Sequence, residues 1–132
     1  MADTFQFDLV SPESRLASGQ AKAVRLPGTD GDMTAMPDHA PTVTTLRPGT
    51  IIVEMADGSE QAFVVLGGFA QITADSATVL ADEAMLKTEV SSDLLRQRIK
   101  DAQEAQAAKE GPDADLAAKL VADLEHLLQD MV

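Results

Sequence analysis

Chemistry in this chain would have to come from very few side chains. It holds two histidines, His39 and His126, and no cysteine, whereas a catalytic site needs a nucleophile, a base and polarising donors gathered together. The two histidines lie in different halves of the sequence, and neither stands in a HExxH spacing. Without cysteine there is no disulfide framework and no thiolate metal site. The phosphate loop GxxxxGK[ST], a GxGxxG opening a helix and the GxSxG elbow are all missing. The expectation is a chain with no catalytic residues, no metal and no firm cofactor.

Three local patterns remain. Asp30-Gly31-Asp32 alternates aspartates as a calcium loop does, but the further ligands and the closing glutamate are absent. His39, between Asp38 and Ala40-Pro41, has the setting of a hydrogen-bonding turn residue rather than a metal ligand. Gly67-Gly68 follows an apolar strand, where a glycine pair makes a bulge or a close backbone approach more often than a phosphate cradle.

Charge narrows the partners. A formal net charge of -12 repels phosphate backbones and anionic lipid, and 3% aromatic residues leave no stacking platform for single strands. Nucleic acid and direct lipid insertion are therefore not expected. Met1 to Val10 shows no basic stretch followed by an apolar run, and no segment reaches bilayer length, so a soluble chain is expected, and the lack of cysteine is compatible with a reducing cytoplasm.

Two kinds of element would have to position whatever the chain does. Up to about residue 86 short apolar or alternating runs read as strands: Thr4 to Leu9, Ala21 to Leu26, Thr50 to Met55, Gln61 to Leu66, Phe69 to Ala74 and Ala77 to Ala81. Pro27-Gly28, Asp30-Gly31-Asp32, Pro48-Gly49 and Asp57-Gly58 punctuate them, the last suggesting a type I′ hairpin. Close spacing with no intervening helix predicts an N-terminal antiparallel β-sandwich over 1–86.

From 87 to 132 alanine, leucine, glutamine and charge replace β-branched residues, and the period becomes helical. The first helix is expected from Ser92 or Asp93 to Lys109, capped by Ser91 or Ser92, with a stripe of Leu95, Ile99 and Ala102. Gly111-Pro112 stops it. The second should start near Asp113, with Asp115 in its first turn, and present Leu116, Leu120, Leu124, Leu127, Leu128 and Met131. The pair forms an antiparallel hairpin whose narrow stripes are compatible with a weakly held, mobile piece and equally with a fixed helical cap packed on one sheet.

From Pro27-Gly28-Thr29-Asp30-Gly31-Asp32 to Pro37-Asp38-His39-Ala40-Pro41 the chain resembles the epsilon subunit family of bacterial F-type ATP synthases, with its PGxxGD element and P-x-HAP turn. Val10-Ser11-Pro12-Glu13, Ser18-Gly19, Leu46-Arg47-Pro48-Gly49, Phe63 to Phe69 and Val79 to Ala84 continue the likeness in order. The resemblance implies a β-sandwich with two antiparallel helices, a non-catalytic central-stalk subunit on the inner face of the bacterial membrane. It implies partners too: the gamma subunit, the c-ring and, through the hairpin, the alpha and beta subunits. The PGxxGD loop would face the polar c loops, making Asp30, Asp32, Met33, Met36 and His39 the candidate c-ring contacts, with the sandwich core as the equal alternative for the two methionines.

Some relatives in the family it resembles bind ATP through an I-D-x-x-R-A motif on the first helix and arginines on the second. Here Asp93 and Arg96 keep the D-x-x-R spacing, but the second helix offers Lys119 against Asp115, Asp123, Glu125 and Asp130. ATP with magnesium is thus a weak expectation, although a nucleotide-sensing protein is the alternative function. The same acidic balance predicts weak inhibition of ATP hydrolysis by the hairpin.

Overall fold

The computed structural model describes the backbone of residues 3–107 and 112–131 and the side chains of 3–105 and 117–129. Nine strands come first: β1 Phe5–Val10, β2 Arg15–Gly28, β3 Gly31–Ala35, β4 Thr42–Leu46, β5 Gly49–Met55, β6 Glu60–Val65, β7 Gly68–Ile72, β8 Ser76–Ala81 and β9 Ala84–Leu86. A single 3-10 turn, Lys87–Glu89, precedes α1 Ser92–Ala107 and α2 Pro112–Met131. Two compact units result, Met1–Lys87 and Thr88–Val132.

In the first unit the strand order is β1-β8-β7-β4-β2-β5-β6-β9, with β3 on β2 and a further pairing of β1 with β2. β2 is the seam. Its first part pairs with β1 (Phe5↔Ala21 to Val10↔Arg15) and its last part with β3 (Val24↔Ala35 to Gly28↔Gly31). A register shift against β5 between Ala21 and Ala23 inserts one residue. Such a bulge bends a strand and reverses which side chains face inward. Ala21 is therefore buried, and after the shift Val24 and Leu26 are. Every pairing is antiparallel except β1 with β8, which run parallel, Gln6↔Ser76 to Val10↔Leu80.

The core explains the strand pattern. Phe5, Phe7 and Leu9 of β1 alternate inward and meet Ile51, Val53, Phe63, Val65, Ile72 and Val79 from the other strands, all essentially solvent-free. No polar or charged residue is buried among the described residues. Burial of this apolar surface at roughly 25 cal/mol per Å² is what holds the unit together.

Three strands go beyond the sequence expectation. β3 starts at Gly31 inside what reads as a turn, β4 lies between Pro41 and Pro48, and β9 has three residues. The Asp57-Gly58 turn is also corrected. Gly58 has φ +88° while Asp57 is not in the left-handed region, and Gly58 N donates to Met55 O at 3.0 Å. That is a type I turn with a glycine bulge rather than type I′, and Asp57 Oδ1 caps it by accepting from Ser59 N and Oγ at 2.9 and 2.6 Å. Gly67-Gly68 makes the close approach expected of it: at Gly68, φ +134°, a Cβ would lie 2.3 Å from Leu80 O.

In the second unit Ser91 is the N-cap, its Oγ accepting from Leu94 N at 3.0 Å. Leu95, Ile99 and Ala102 of α1 are buried and α1 packs along α2. On α2 the stripe runs through Ala117, Val121, Leu124 and Leu127, with Leu128 half-buried. Leu120, expected in the stripe, is 41% exposed. Leucine spacing misled because alanine and valine one position on complete the face. Lys109, Gly111 and the side chains of Asp113, Asp115, Leu116, Asp130 and Met131 lie outside the described residues.

Candidate functional site

The β2–β3 turn, Gly28 to Asp32, is held by the connection between β4 and β5. Thr29 N donates to Thr45 O at 2.9 Å, and Arg47 N donates to Pro27 O at 3.0 Å. The Arg47 guanidinium adds two bonds, Nη1 to Gly28 O at 2.7 Å and Nη2 to Asp32 Oδ1 at 2.5 Å. Arg47 is 28% and Asp32 61% exposed along the side chain, so this ion pair is partly shielded from water on one side only. Asp30, at the tip, is exposed and has no hydrogen-bonding or ionic partner among the described residues.

The five candidate contact residues do not form one patch. Asp30 and Asp32 share the turn. Met33, half-buried, turns its side chain onto the sandwich core. Met36, 55% exposed, and His39 follow β3 to the opposite end of the sandwich, about 13 Å further along at ~3.3 Å per strand residue. There Asp38, the one described non-glycine residue with positive φ (67°), donates its N–H to Ala74 O at 2.8 Å. His39 Nδ1 lies 2.7 Å from Ala40 O, and His39 N donates to Met36 O at 3.2 Å. The histidine is thus a turn residue, as its setting in the sequence suggests. No group of three or more His, Asp or Glu able to hold a metal occurs among the described residues.

An outer sheet face was not singled out by motif. Val10 lies opposite Leu80, Leu80 opposite Phe69 and Phe69 opposite Thr45, and Val43 is two residues from Thr45 on the same face. Val43 is 70%, Phe69 44% and Leu80 41% exposed. Val10, Leu80 and Phe69 thus line up across three strands, the row continues in β4 through the polar Thr45, and Val43, opposite Gln71, lies diagonal to Phe69. Exposed apolar side chains grouped in this way are a surface that a partner protein can cover. The alternation in Thr42-Val43-Thr44-Thr45-Leu46 held the signal: with Leu46 inward, Val43 must point out.

On α1 the two nucleotide candidates are near each other. Arg96 Nη1 lies 3.3 Å from Asp93 Oδ1 and 3.3 Å from Ser92 Oγ, with side chains 57% and 93% exposed for Arg96 and Asp93. This is an ordinary i,i+3 surface pair. No described helix is long and apolar enough to cross a membrane.

Comparison with known proteins gives these features a setting. Residues 4–87 match the model of the ATP synthase Delta/Epsilon chain β-sandwich domain. The chain is 50% identical over 129 residues to the ATP synthase epsilon chain of Jannaschia sp. (strain CCS1), covering 98% of this chain and 97% of that one. It is 46% identical to that of Rhodobacter capsulatus, with 96% of each covered, and 48% identical to that of Paracoccus denitrificans (strain Pd 1222), covering 96% and 90%. Among solved structures, a chain of the Euglena gracilis mitochondrial ATP synthase (OSCP/F1/c-ring, rotational state 1) superposes with a TM-score of 0.76 at 19% identity, covering 98% of this chain and 82% of that one. One from the central stalk and c-ring of the Tetrahymena thermophila enzyme gives 0.66 at 15%, covering 96% and 94%. At these identities the structural likeness speaks for the fold. By a family match across the whole sandwich and relatives half identical over nearly the full length, the chain belongs to the ATP synthase epsilon chain family.

Proposed function

We propose that the chain is a non-catalytic central-stalk subunit of a proton-translocating ATP synthase, turning with the gamma subunit and the c-ring at the cytoplasmic face of the bacterial inner membrane. The observation that carries this is the near-full-length identity to proteins named ATP synthase epsilon chain. In this reading the sandwich is the coupling piece. Its β2–β3 turn offers Asp30 to a cationic c loop, and the exposed side chains of Val43, Phe69 and Leu80 on its outer face offer a partner subunit apolar area. Because Met36 and His39 lie at the other end of β3, we restrict the c-ring contact to Asp30 and Asp32.

The hairpin is proposed to move as a separate piece and to inhibit ATP hydrolysis weakly. Asp93 and Arg96 are engaged with each other, and the described part of α2 carries Lys119 against Asp123 and Glu125. A triphosphate or an acidic loop of the beta subunit would meet net negative charge there. The coupling role is tested by purifying the tagged chain from membranes: gamma and c should accompany it, and their absence would end the proposal. Deleting residues 91–132 should change the ATPase rate of the assembled complex little, and a large activation would contradict weak inhibition.

A further inference from the structure

Arg47 stands out among the charged residues of the sandwich because its side chain reaches both sides of a turn from far along the chain. Gly28 O and Asp32 Oδ1 are 19 and 15 residues away in sequence, and the forked guanidinium takes one with each terminal nitrogen. We propose that Arg47 is a positioning residue for the β2–β3 turn, one that compensates Asp32 in place and leaves Asp30 as the turn's free carboxylate. The inference rests on the reading above that this turn meets a cationic loop.

The turn needs such a brace. Gly31 has φ +135°, and nothing lies within 4 Å of where its Cβ would be, so no packing defines the tip from that side. Beyond the pairing of its own two strands, which closes at Gly28↔Gly31, it is held by the row of bonds to β4–β5: Thr29 N to Thr45 O, Arg47 N to Pro27 O and the two from the guanidinium. A planar fork suits this task, since an ammonium is a single point charge and holds two acceptors with less geometric control. The electrostatic consequence follows directly. A cation approaching the turn finds Asp32 already paired, and recruits it only by displacing Arg47 from an ion pair that is partly shielded from water. Asp30, exposed and unpartnered among the described residues, is met first.

Two measurements on the full-length chain test this separately. The first is binding to the purified c-ring as a function of salt. Asp30→Asn should weaken binding at low salt by up to about fivefold, the range of an exposed ion pair, and flatten the salt dependence. Asp32→Asn should change it less than about twofold while Arg47 is present, and should become as costly as Asp30→Asn once Arg47→Gln has freed the carboxylate. Equal losses for Asp30→Asn and Asp32→Asn beside Arg47 would overturn the proposal. The second is amide hydrogen exchange at Thr29 in the free chain. Arg47→Gln should speed it by about tenfold, as for loss of charged hydrogen bonds, and Arg47→Lys should restore part of the protection. Unchanged exchange in Arg47→Gln would refute the positioning role whatever the binding shows. If exchange responds as expected but no form of the chain, wild type included, binds the c-ring, the charge half of the proposal fails together with the c-ring reading, and the brace stands.

Discussion

Replacing Gly68 by alanine tests how tightly the sheet is closed between β7 and β8. Gly68 is paired on both sides, with Leu46 and with Ala81, and holds φ at +134°. A Cβ there would sit 2.3 Å from Leu80 O and 2.8 Å from Ala81 Cα. Both are backbone atoms, so no side chain can rotate away. Forcing an L residue into that backbone region costs about 1–3 kcal/mol, and overpacking adds typically ~1–3 kcal/mol. The loss of about 2–6 kcal/mol is a large part of what a unit of this size holds, at ~0.05–0.15 kcal/mol per residue. Gly31→Ala is the control, since φ is +135° there but no atom lies within 4 Å, leaving the backbone cost alone. Urea unfolding followed by the methyl signals of Ile51 and Ile72 reads the sandwich unit specifically. With a slope near ~1 kcal/mol per M, the Gly68→Ala midpoint should fall by about 2 M or more, and further than that of Gly31→Ala. If Gly68→Ala were no more destabilising than Gly31→Ala, the close backbone approach would be wrong.

In the hairpin, Leu124→Ala should cost about 2–5 kcal/mol and remove most of the helical circular dichroism of α1 and α2, because Leu124 is buried while Leu120 is 41% exposed. Leu120→Ala should stay within about 0.5 kcal/mol, and equal effects would contradict the stripe. Ser59 holds the Asp57 carboxyl below its ordinary 3.8, chiefly through its hydroxyl and then through its backbone N–H. A lowered folded value means this contribution is present above the unfolded pKa and fades as pH falls through the folded one. Ser59→Ala should therefore raise the Asp57 midpoint toward 3.8 in a carboxyl NMR titration, and an unmoved midpoint would count against the turn geometry. Asp38, at φ 67°, tolerates glycine but not a β-branched residue: Asp38→Val should destabilise by at least about 1 kcal/mol, read by thermal unfolding, whereas Asp38→Gly should not.

Much of this architecture is written in local periodicity. Phe5, Phe7 and Leu9 announce β1 by alternation, and the shift to alanine and leucine after Thr88 announces the helices. What escaped was decided at longer range. β3 looks like a turn because Asp30-Gly31-Asp32 is one at its start, and only pairing with Val24 to Gly28 makes the rest a strand. Leu120 looks like core until Ala117 and Val121 are seen to close the face. Arg47 gives no signal by spacing at all, since its partners lie 19 and 15 residues back. The candidate contact residues suffer from the opposite error. Asp32 and Met36 are close in sequence, the one closing the PGxxGD element and the other just before the P-x-HAP turn, yet an extended strand carries them to opposite ends of a sheet.

The most direct test of the central reading is functional replacement. Membranes stripped of their own epsilon subunit should regain proton-coupled ATP synthesis when this chain is added, in step with its binding to gamma and the c-ring. If the chain bound fully and synthesis stayed uncoupled, or if synthesis returned without it, the account of a coupling subunit would be contradicted.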